Sequence, residues 1–199
     1  MKLKTVFLSA LALAVGLAAF DSAGAATYTI DSAHSSVGFQ IKHLAIAKVN
    51  GSFTDFGGTF EFEKGKAAAW SVEATVQMAS VDTGNDDRDD HLRNADFFDV
   101  EKFPVMTFTS TGVEMESDTE GKLLGDLTMH GVTKAVELDL EFNGAVTDPW
   151  GNDKVGFSAY GKINRKDWGL NFNKVLDTGS LMIGETVKIS LEIEAAKNK

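Results

Sequence analysis

The strongest constraint on the fold is an alternation of apolar and polar residues with a period of two, which recurs along the chain after residue 25. Val37, Phe39 and Ile41 alternate with polar or small neighbours, so their side chains share one face of a strand. Similar runs follow at residues 59–63, 70–78, 105–110, 122–129, 136–142, 155–163 and 187–194. The pattern predicts at least eight strands, each with one buried face.

Short sequences that favour turns separate several of these runs. They are Asn50-Gly51, Gly57-Gly58, Lys64-Gly65, Glu120-Gly121, Asn143-Gly144 and the segment 148–151. Most successive strands have no helical stretch between them, so parallel crossovers are excluded and the sheet must be antiparallel. Closure into a barrel removes the long edges of such a sheet better than a two-layer sandwich. We therefore predict an all-β protein with an antiparallel eight-stranded β-barrel, whose interior holds its own side chains or one ligand.

One segment departs from the period of two. Residues 86–98 are too polar for a strand, and their acidic start suits a helix N-terminus, which predicts a short helix near residues 86–98. In such a helix Leu92, Ala95 and Phe97 or Phe98 would face the barrel, while the carboxylates face water. The mixture of Arg, His and Asp in one turn marks this segment as a candidate site.

Composition limits the classes of partner and chemistry. The 199 residues carry a formal net charge of -10, and such an acidic surface repels phosphate backbones, so we expect no nucleic acid partner. Cysteine is absent, which excludes disulfides, thiolate catalysis, Cys-ligated zinc and iron–sulfur clusters. The 14 Phe residues indicate a bulky apolar interior.

The N-terminal 25 residues have the three parts of a secretory signal peptide. Lys2 and Lys4 precede an apolar run at residues 6–20, and Ala23 and Ala25 frame a cleavage site. The run is shorter than the roughly 20 apolar residues that a spanning helix needs. We expect export, cleavage, no stable membrane insertion, and a mature chain of one domain at residues 26–199.

Four blocks of sequence carry a resemblance to a known family. The first spans residues 28–58 and includes Tyr28, His34 and His43, and the second is TGNDDRDDHLRNADFFD at residues 83–99, followed by Phe103-Pro104 and Phe108. The third is GDLTMHGVTK at residues 125–134, and the fourth is INRKDWGL at residues 163–170. In this order they resemble the YceI-like family of bacterial exported proteins. Tyr28 stands where that family often has Trp, and Trp168 where Phe is common.

The resemblance implies a lipocalin-like, extended antiparallel barrel that holds a long apolar chain, typically a polyisoprenoid, with no enzymatic activity. We expect this chain to bind a polyisoprenoid or related amphipathic lipid for transport, storage or sequestration in the periplasm, including under stress. No cofactor other than the bound lipid is implied.

The candidate ligand-binding residues comprise polar side chains from the matched blocks and a set of apolar side chains. Polar side chains next to aromatic residues could meet a phosphate or phenol oxygen, and these are His34, Arg88, His91 and Arg165. The candidate lining residues are Phe39, Phe53, Phe60, Phe97, Phe98, Phe108, Leu127 and Trp168. Each polar residue has a structural alternative, which is an ion pair that pins a loop, and each apolar residue could belong to a plain core.

Two other classes of function stay open at this point. The four histidines, at positions 34, 43, 91 and 130, and the abundant Asp could form a zinc site or the acid–base pair of a hydrolase, although H-E-x-x-H, G-x-S-x-G and S-x-x-K motifs are all missing. A stress-response protein could instead act through a protein partner. A homodimer could form through a barrel edge or a rim of Trp150 and Phe157.

Overall fold

The computed structural model describes residues 24–177, 179 and 181–199, so the predicted signal peptide lies almost entirely outside the described residues. The period-two runs form the strands of one antiparallel sheet. The strands are β1 (Ala26–Ile30), β2 (Ser36–His43), β3 (Ala47–Phe53), β4 (Phe56–Phe62), β5 (Ser71–Gln77), β6 (Val81–Asp82), β7 (Val105–Met115), β8 (Glu120–Met129), β9 (Val132–Thr147), β10 (Asp153–Asn164) and β11 (Ile183–Lys197).

The sheet closes on itself with eight strands around its circumference. Its order is β1-β4-β5-β7-β8-β9-β10-β11, and β11 pairs back with β1. Three further strands complete the sheet. β1 and β2 pair with different stretches of β11, β3 pairs with β2, and β6 pairs with β3. The predicted eight-stranded antiparallel barrel is therefore confirmed.

The acidic segment forms the helix α1 (Asp86–Arg93), which confirms the predicted short helix with an earlier end. Asn85 caps it, because its side chain accepts a hydrogen bond from the Arg88 backbone N–H. Asp89 is an exception to the expectation that the carboxylates face water: it is 4% exposed and accepts hydrogen bonds from Thr83. No helix within residues 24–177, 179 and 181–199 is long and apolar enough to cross a membrane.

The turn predictions are correct at two places. Lys64-Gly65 and the segment 148–151 form turns. The other four pairs lie inside strands β3, β4, β8 and β9, so those turn predictions are wrong. At Gly121 the missing side chain lets a neighbouring strand approach closely, because a Cβ there would lie 2.4 Å from the Glu114 carbonyl oxygen.

Buried apolar side chains fill the two ends of the barrel differently. At the α1 end, Phe53, Met78, Leu127 and Trp168 belong to one buried cluster. At the other end a group of rings, which we call the aromatic plug, packs around Val155 and Ala195. The plug consists of Tyr28, Phe60, Phe62, Trp70, Phe142 and Phe157. The barrel is therefore packed shut at one end by its own side chains.

Candidate functional site

Between the two buried clusters lies an elongated apolar cavity of about 430 Å³. This volume falls within the range of about 300–1,000 Å³ that is typical of ligand pockets. Along β11 the wall extends from Ile183 to Ile193, which is about 33 Å at about 3.3 Å per residue along a strand. The wall is formed by side chains on the inward faces of the strands, as the period-two pattern requires. A cavity of this shape fits an extended chain better than a compact ligand.

The aromatic plug forms the floor of the cavity. The Phe157 ring lies at its centre, with ring centroids 5.6 Å from Phe60, 5.4 Å from Phe62, 5.7 Å from Trp70 and 5.2 Å from Phe142. Such tilted and edge-on contacts stabilise aromatic clusters. Phe157 also contributes to the cavity wall, so the prediction that it lies on an exposed rim is wrong. Trp150, the other residue of that predicted rim, is 83% exposed in the turn between β9 and β10.

The opposite end of the cavity carries its cationic side chains. Lys42, Arg88 and Arg165 line this end, and Lys42 and Arg88 are exposed, so the cavity opens to solvent here. The acidic residue on the wall, Glu61, belongs to β4 near the plug. The charges along the cavity are therefore polarised, with cations at the mouth.

Arg88 is positioned at the mouth by the loop that precedes α1. Its Nε donates to Thr83 Oγ1 at 2.6 Å and its Nη2 donates to the Thr83 carbonyl oxygen at 2.8 Å. No described carboxylate lies within 4.0 Å of the Arg88 guanidinium, so its charge is not neutralised by the residues that the structure describes. Its other terminal nitrogen, Nη1, has no acceptor among the described residues and is suited to bind an anionic oxygen.

His91 lies one turn of α1 further on and is held by aromatic rings. Its ring makes edge-on contacts with Phe97 and Phe172, at centroid distances of 4.9 and 5.0 Å. Its Nε2 lies 3.0 Å from a carboxylate oxygen of Asp96. The three rings form an amphipathic part of the mouth, apolar toward the cavity and polar toward Asp96.

Arg165 is a buried cation in the short 3-10 turn Arg165–Trp168 after β10, where it is 3% exposed. Its Nε donates to the Gly184 carbonyl oxygen and its Nη1 to that of Leu170, so the side chain joins this turn to β11. Its Nη2 is buried without an acceptor among the described residues. Burial lowers the pKa of the guanidinium, and Glu185 partly opposes this shift.

The structure places all but two of the predicted site residues on the cavity wall. These wall residues are Phe39, Phe53, Phe60, Arg88, His91, Phe97, Phe98, Phe108, Leu127 and Arg165. Trp168 lies behind the wall, where its Nε1 donates to the Leu127 carbonyl oxygen at 3.1 Å. His34 lies in the turn between β1 and β2, outside the cavity lining. Ligand contact by any of these residues stays a prediction.

His34, one of the histidines considered for a zinc site, lies beside two carboxylates. Ligand atoms of Asp31, His34 and Glu194 lie within 4.8 Å of one another. Lys154 Nζ already contacts both carboxylates, at 3.2 Å from Asp31 and 2.6 Å from Glu194. The ammonium group therefore supplies the charge that a metal ion would supply, and the cluster joins the β1–β2 turn to strands β10 and β11.

The other histidines lie in separate places. His130 occupies the tight turn between β8 and β9 and its Nδ1 is 3.0 Å from the Trp168 carbonyl oxygen, while His43 lies on the cavity wall. Among the described residues, the group around His34 is the one that offers three candidate ligands. Two of the four histidines lie beside a carboxylate, His34 beside Asp31 and His91 beside Asp96.

Sequence reasoning from the matched blocks missed much of the wall. The missed side chains are aliphatic or lie in the plug, and they include Trp70, Val72, Leu123, Leu138, Leu140, Phe157, Ile189, Leu191 and Ile193. The signal that identifies them was present, because each belongs to a period-two run. The period-two runs therefore identify more of the cavity wall than the four matched sequence blocks do.

The sequence and the fold are similar to those of known proteins. Residues 28–195 match the model of the YceI-like domain family. Protein YceI of Salmonella newport is 43% identical over 180 residues, which are 89% of this chain and 91% of that protein. The crystal structure of the YCEI protein of Campylobacter jejuni has a TM-score of 0.69 and 37% identity, covering 85% of this chain and 96% of that chain.

A more distant structure has the same fold. It is that of a polyisoprenoid binding domain from Saccharophagus degradans, with a TM-score of 0.64 and 17% identity, covering 86% of this chain and 98% of that chain.

Proposed function

Because the chain belongs to the YceI-like domain family and its barrel encloses an apolar cavity with a cationic mouth, we propose that it binds a long-chain polyisoprenoid or a related amphipathic lipid. The apolar tail lies between the mouth and the aromatic plug, and the polar head group lies near Lys42, Arg88 and His91. The observation that carries the proposal is the continuous apolar cavity that is closed at one end and cationic at the other. The polyisoprenoid binding domain with the same fold supports this class of ligand.

The apolar wall provides the binding free energy. At about 0.8 kcal/mol per buried methylene, a tail of about 20 carbons gains about 16 kcal/mol on leaving water, before ordering costs are subtracted. A bilayer offers the same tail a similar environment, so exchange between the barrel and a membrane is nearly balanced. This balance suits a protein that takes up and releases lipid reversibly, as a carrier or a sequestering protein in the periplasm does.

The polarised charges give the complex its orientation. The cations at the mouth favour an anionic or strongly polar head group, whereas the plug offers a tail only apolar rings. A head group that entered first would lose its hydration near the plug without gaining a cation. The tail therefore enters first, and binding needs no catalytic group.

Native mass spectrometry of the protein purified from the periplasm of its own host, followed by organic extraction, tests this proposal. We expect one prenyl lipid for each chain, and the extract identifies its head group. A protein that stays free of lipid after incubation with prenyl quinones and prenyl phosphates would contradict the proposal. If the protein were found only in the cytoplasmic fraction of its host, the proposed periplasmic location would be wrong.

A further inference from the structure

The open end of the barrel carries exposed apolar side chains on two loops. Leu44 and Ile46 lie in the turn between β2 and β3, and Ile46 is 89% exposed. Val175, which is 71% exposed, and Leu181 lie in the segment that precedes β11. The Leu44 backbone N–H donates to the Met182 carbonyl oxygen at 2.8 Å, so the two loops form one surface. We call Leu44, Ile46, Val175 and Leu181 the apolar lip.

The apolar lip is continuous with the cavity mouth. His43 and Ile183 are paired across β2 and β11, and both line the cavity. Leu44 directly follows His43, and Met182, which also lines the cavity, accepts the hydrogen bond from Leu44. A ligand that passes the mouth on this side therefore passes the lip.

The turn between β2 and β3 has a strained backbone at an apolar residue, Leu44. Leu44 and Ala45 have φ values of 52° and 60°, in the left-handed region. A turn with two successive positive φ values ordinarily contains Asn and Gly, which adopt this conformation more easily. Leu at this position adds strain and an exposed apolar group, and burial of that group against a partner would compensate for the strain.

Lysines surround the apolar lip in a chain that is otherwise acidic. Lys42 and Lys48 stand directly opposite each other on β2 and β3, and Lys174 precedes Val175. No carboxylate among the described residues lies within 4.0 Å of any of these three ammonium groups. Opposed like charges destabilise a strand pair, and an anionic surface would relieve their repulsion. Residues 42–48 contain no acidic residue, and residues 171–182 contain one, Asp177.

We propose that the apolar lip docks on a lipid bilayer with anionic head groups, so that the cavity mouth faces the membrane. The proposal rests on the proposed function, because docking brings the mouth to the lipid that the cavity takes up. The apolar side chains enter the head-group region while Lys42, Lys48 and Lys174 contact anionic phosphates. The exposed carboxylates of α1, including Asp86 and Asp87, oppose this contact at the same end of the barrel, which favours approach by the lip side.

Flotation with vesicles tests the apolar part of the proposal. The probes are vesicles of phosphatidylcholine alone and of phosphatidylcholine with phosphatidylglycerol. We expect the protein to bind the anionic vesicles, and Ile46→Asp or Val175→Asp to weaken binding about tenfold. Trp150→Asp is the matched control, because Trp150 is equally exposed but lies at the plug end, and it should leave binding unchanged. Equal losses from Ile46→Asp and Trp150→Asp would overturn the proposal.

Charge variants test the electrostatic part. The double variant Lys42→Gln and Lys48→Gln should weaken binding to the anionic vesicles by about fivefold for each lysine, whereas Asp86→Asn with Asp87→Asn should strengthen it. The matched control is Lys162→Gln with Lys188→Gln, a second exposed lysine pair that stands opposed on β10 and β11. If both lysine pairs have the same effect, net charge rather than the lip governs binding, and the proposal is wrong.

Lipid occupancy of the apolar variants Ile46→Asp and Val175→Asp separates this proposal from the proposed function, because neither residue lines the cavity, whereas Lys42 does. Each variant is incubated with a prenyl phosphate added from ethanol, without vesicles, and its occupancy is measured by native mass spectrometry. Normal occupancy with lost vesicle binding in Ile46→Asp supports the lip as a docking surface. A wild-type protein that loads lipid but binds no vesicles overturns the lip proposal alone. A wild-type protein that binds vesicles through the lip but loads no lipid overturns the proposed function and leaves the docking surface supported.

Discussion

The ring of Phe39 lies directly against the backbone of Gly51, its partner across strands β2 and β3. A Cβ on Gly51 would lie 2.3 Å from Phe39 Cζ, so no larger residue fits while the ring keeps this position. The same ring lies 5.7 Å from that of Phe53, and both belong to the cavity wall. The glycine thus allows the ring to lie flat along the wall and leaves the centre of the cavity open.

Replacement of this glycine should therefore narrow the cavity. In Gly51→Val the Phe39 ring must rotate toward the cavity centre, and we expect a loss of stability of about 1–3 kcal/mol from overpacking. Urea unfolding measures the stability, and native mass spectrometry measures the reduced occupancy by prenyl lipid. The control is Gly112→Ala on β7, where an added Cβ meets nothing within 4 Å and which is not part of the cavity lining. Its stability should stay the same or rise by up to about 1 kcal/mol.

The same pair shows what the sequence could and could not predict. Asn50-Gly51 has the strongest two-residue signal for a hairpin turn, yet it lies in the middle of β3. The reason is a contact with Phe39, twelve residues earlier, and turn propensity contains no information on such a contact. The turn between β2 and β3 shows the opposite case. It lacks the residues that favour such a turn, yet Leu44 and Ala45 adopt the left-handed conformation that Asn and Gly favour.

The outline of the cavity, in contrast, could be predicted from the sequence. The alternation in β2, β8, β9 and β11 identifies which side chains face inward, because strand geometry is local. Whether an inward side chain lines the cavity or fills an end depends on packing between strands that are distant in sequence. Trp168 and Phe157 illustrate the difference: the first lies behind the wall, and the second lies in the plug.

Acid should weaken the cluster that joins the β1–β2 turn to the end of the barrel. Hydrogen bonds from His34 and Lys154 hold the pKa of Asp31 below its usual value. A lowered pKa gives stability that is present above about pH 4 and is lost as the pH falls through the folded-state pKa. The contacts of Lys154 with Glu194 and Asp31 raise the pKa of Lys154, so its contribution is lost only at strongly alkaline pH.

Asp31→Asn should therefore lower the free energy of unfolding by about 1 kcal/mol at neutral pH, the upper end for exposed ion pairs. The difference from the wild-type protein should vanish at pH values below the folded-state pKa of Asp31. Urea unfolding at a series of pH values measures this convergence. Asp118→Asn, in the exposed turn between β7 and β8, is the control and should show no such trend. A difference that stays constant down to acidic pH would assign the loss to packing instead of charge.

Arg88 should discriminate between head groups. Arg88→Gln removes the charge at the mouth, and we expect it to weaken binding of a prenyl phosphate by about tenfold, as for a lost charged hydrogen bond. Binding of an uncharged prenyl quinone should change little. Calorimetric titration with each lipid measures both effects, and Lys162→Gln on the outer wall is the charge-matched control. Equal losses for the two lipids would show that Arg88 acts by holding the loop at Thr83 and not by contacting the head group.

The aromatic plug should determine how long a tail the barrel accepts. Phe157→Ala removes the central ring of the plug, and the space joins the floor of the cavity because Phe157 already lines it. Truncation of a buried Phe costs about 3–5 kcal/mol, and we expect the lower end because Phe157 is only partly buried. In a competition between prenyl lipids of increasing length, read by native mass spectrometry, the variant should prefer a longer tail than the wild-type protein does. Phe103→Ala is the control, since this ring packs on Gly131 and His130, away from the cavity lining, and its loss should leave the length preference unchanged. An unchanged preference in a folded Phe157→Ala protein would mean that the tail ends before it reaches the plug.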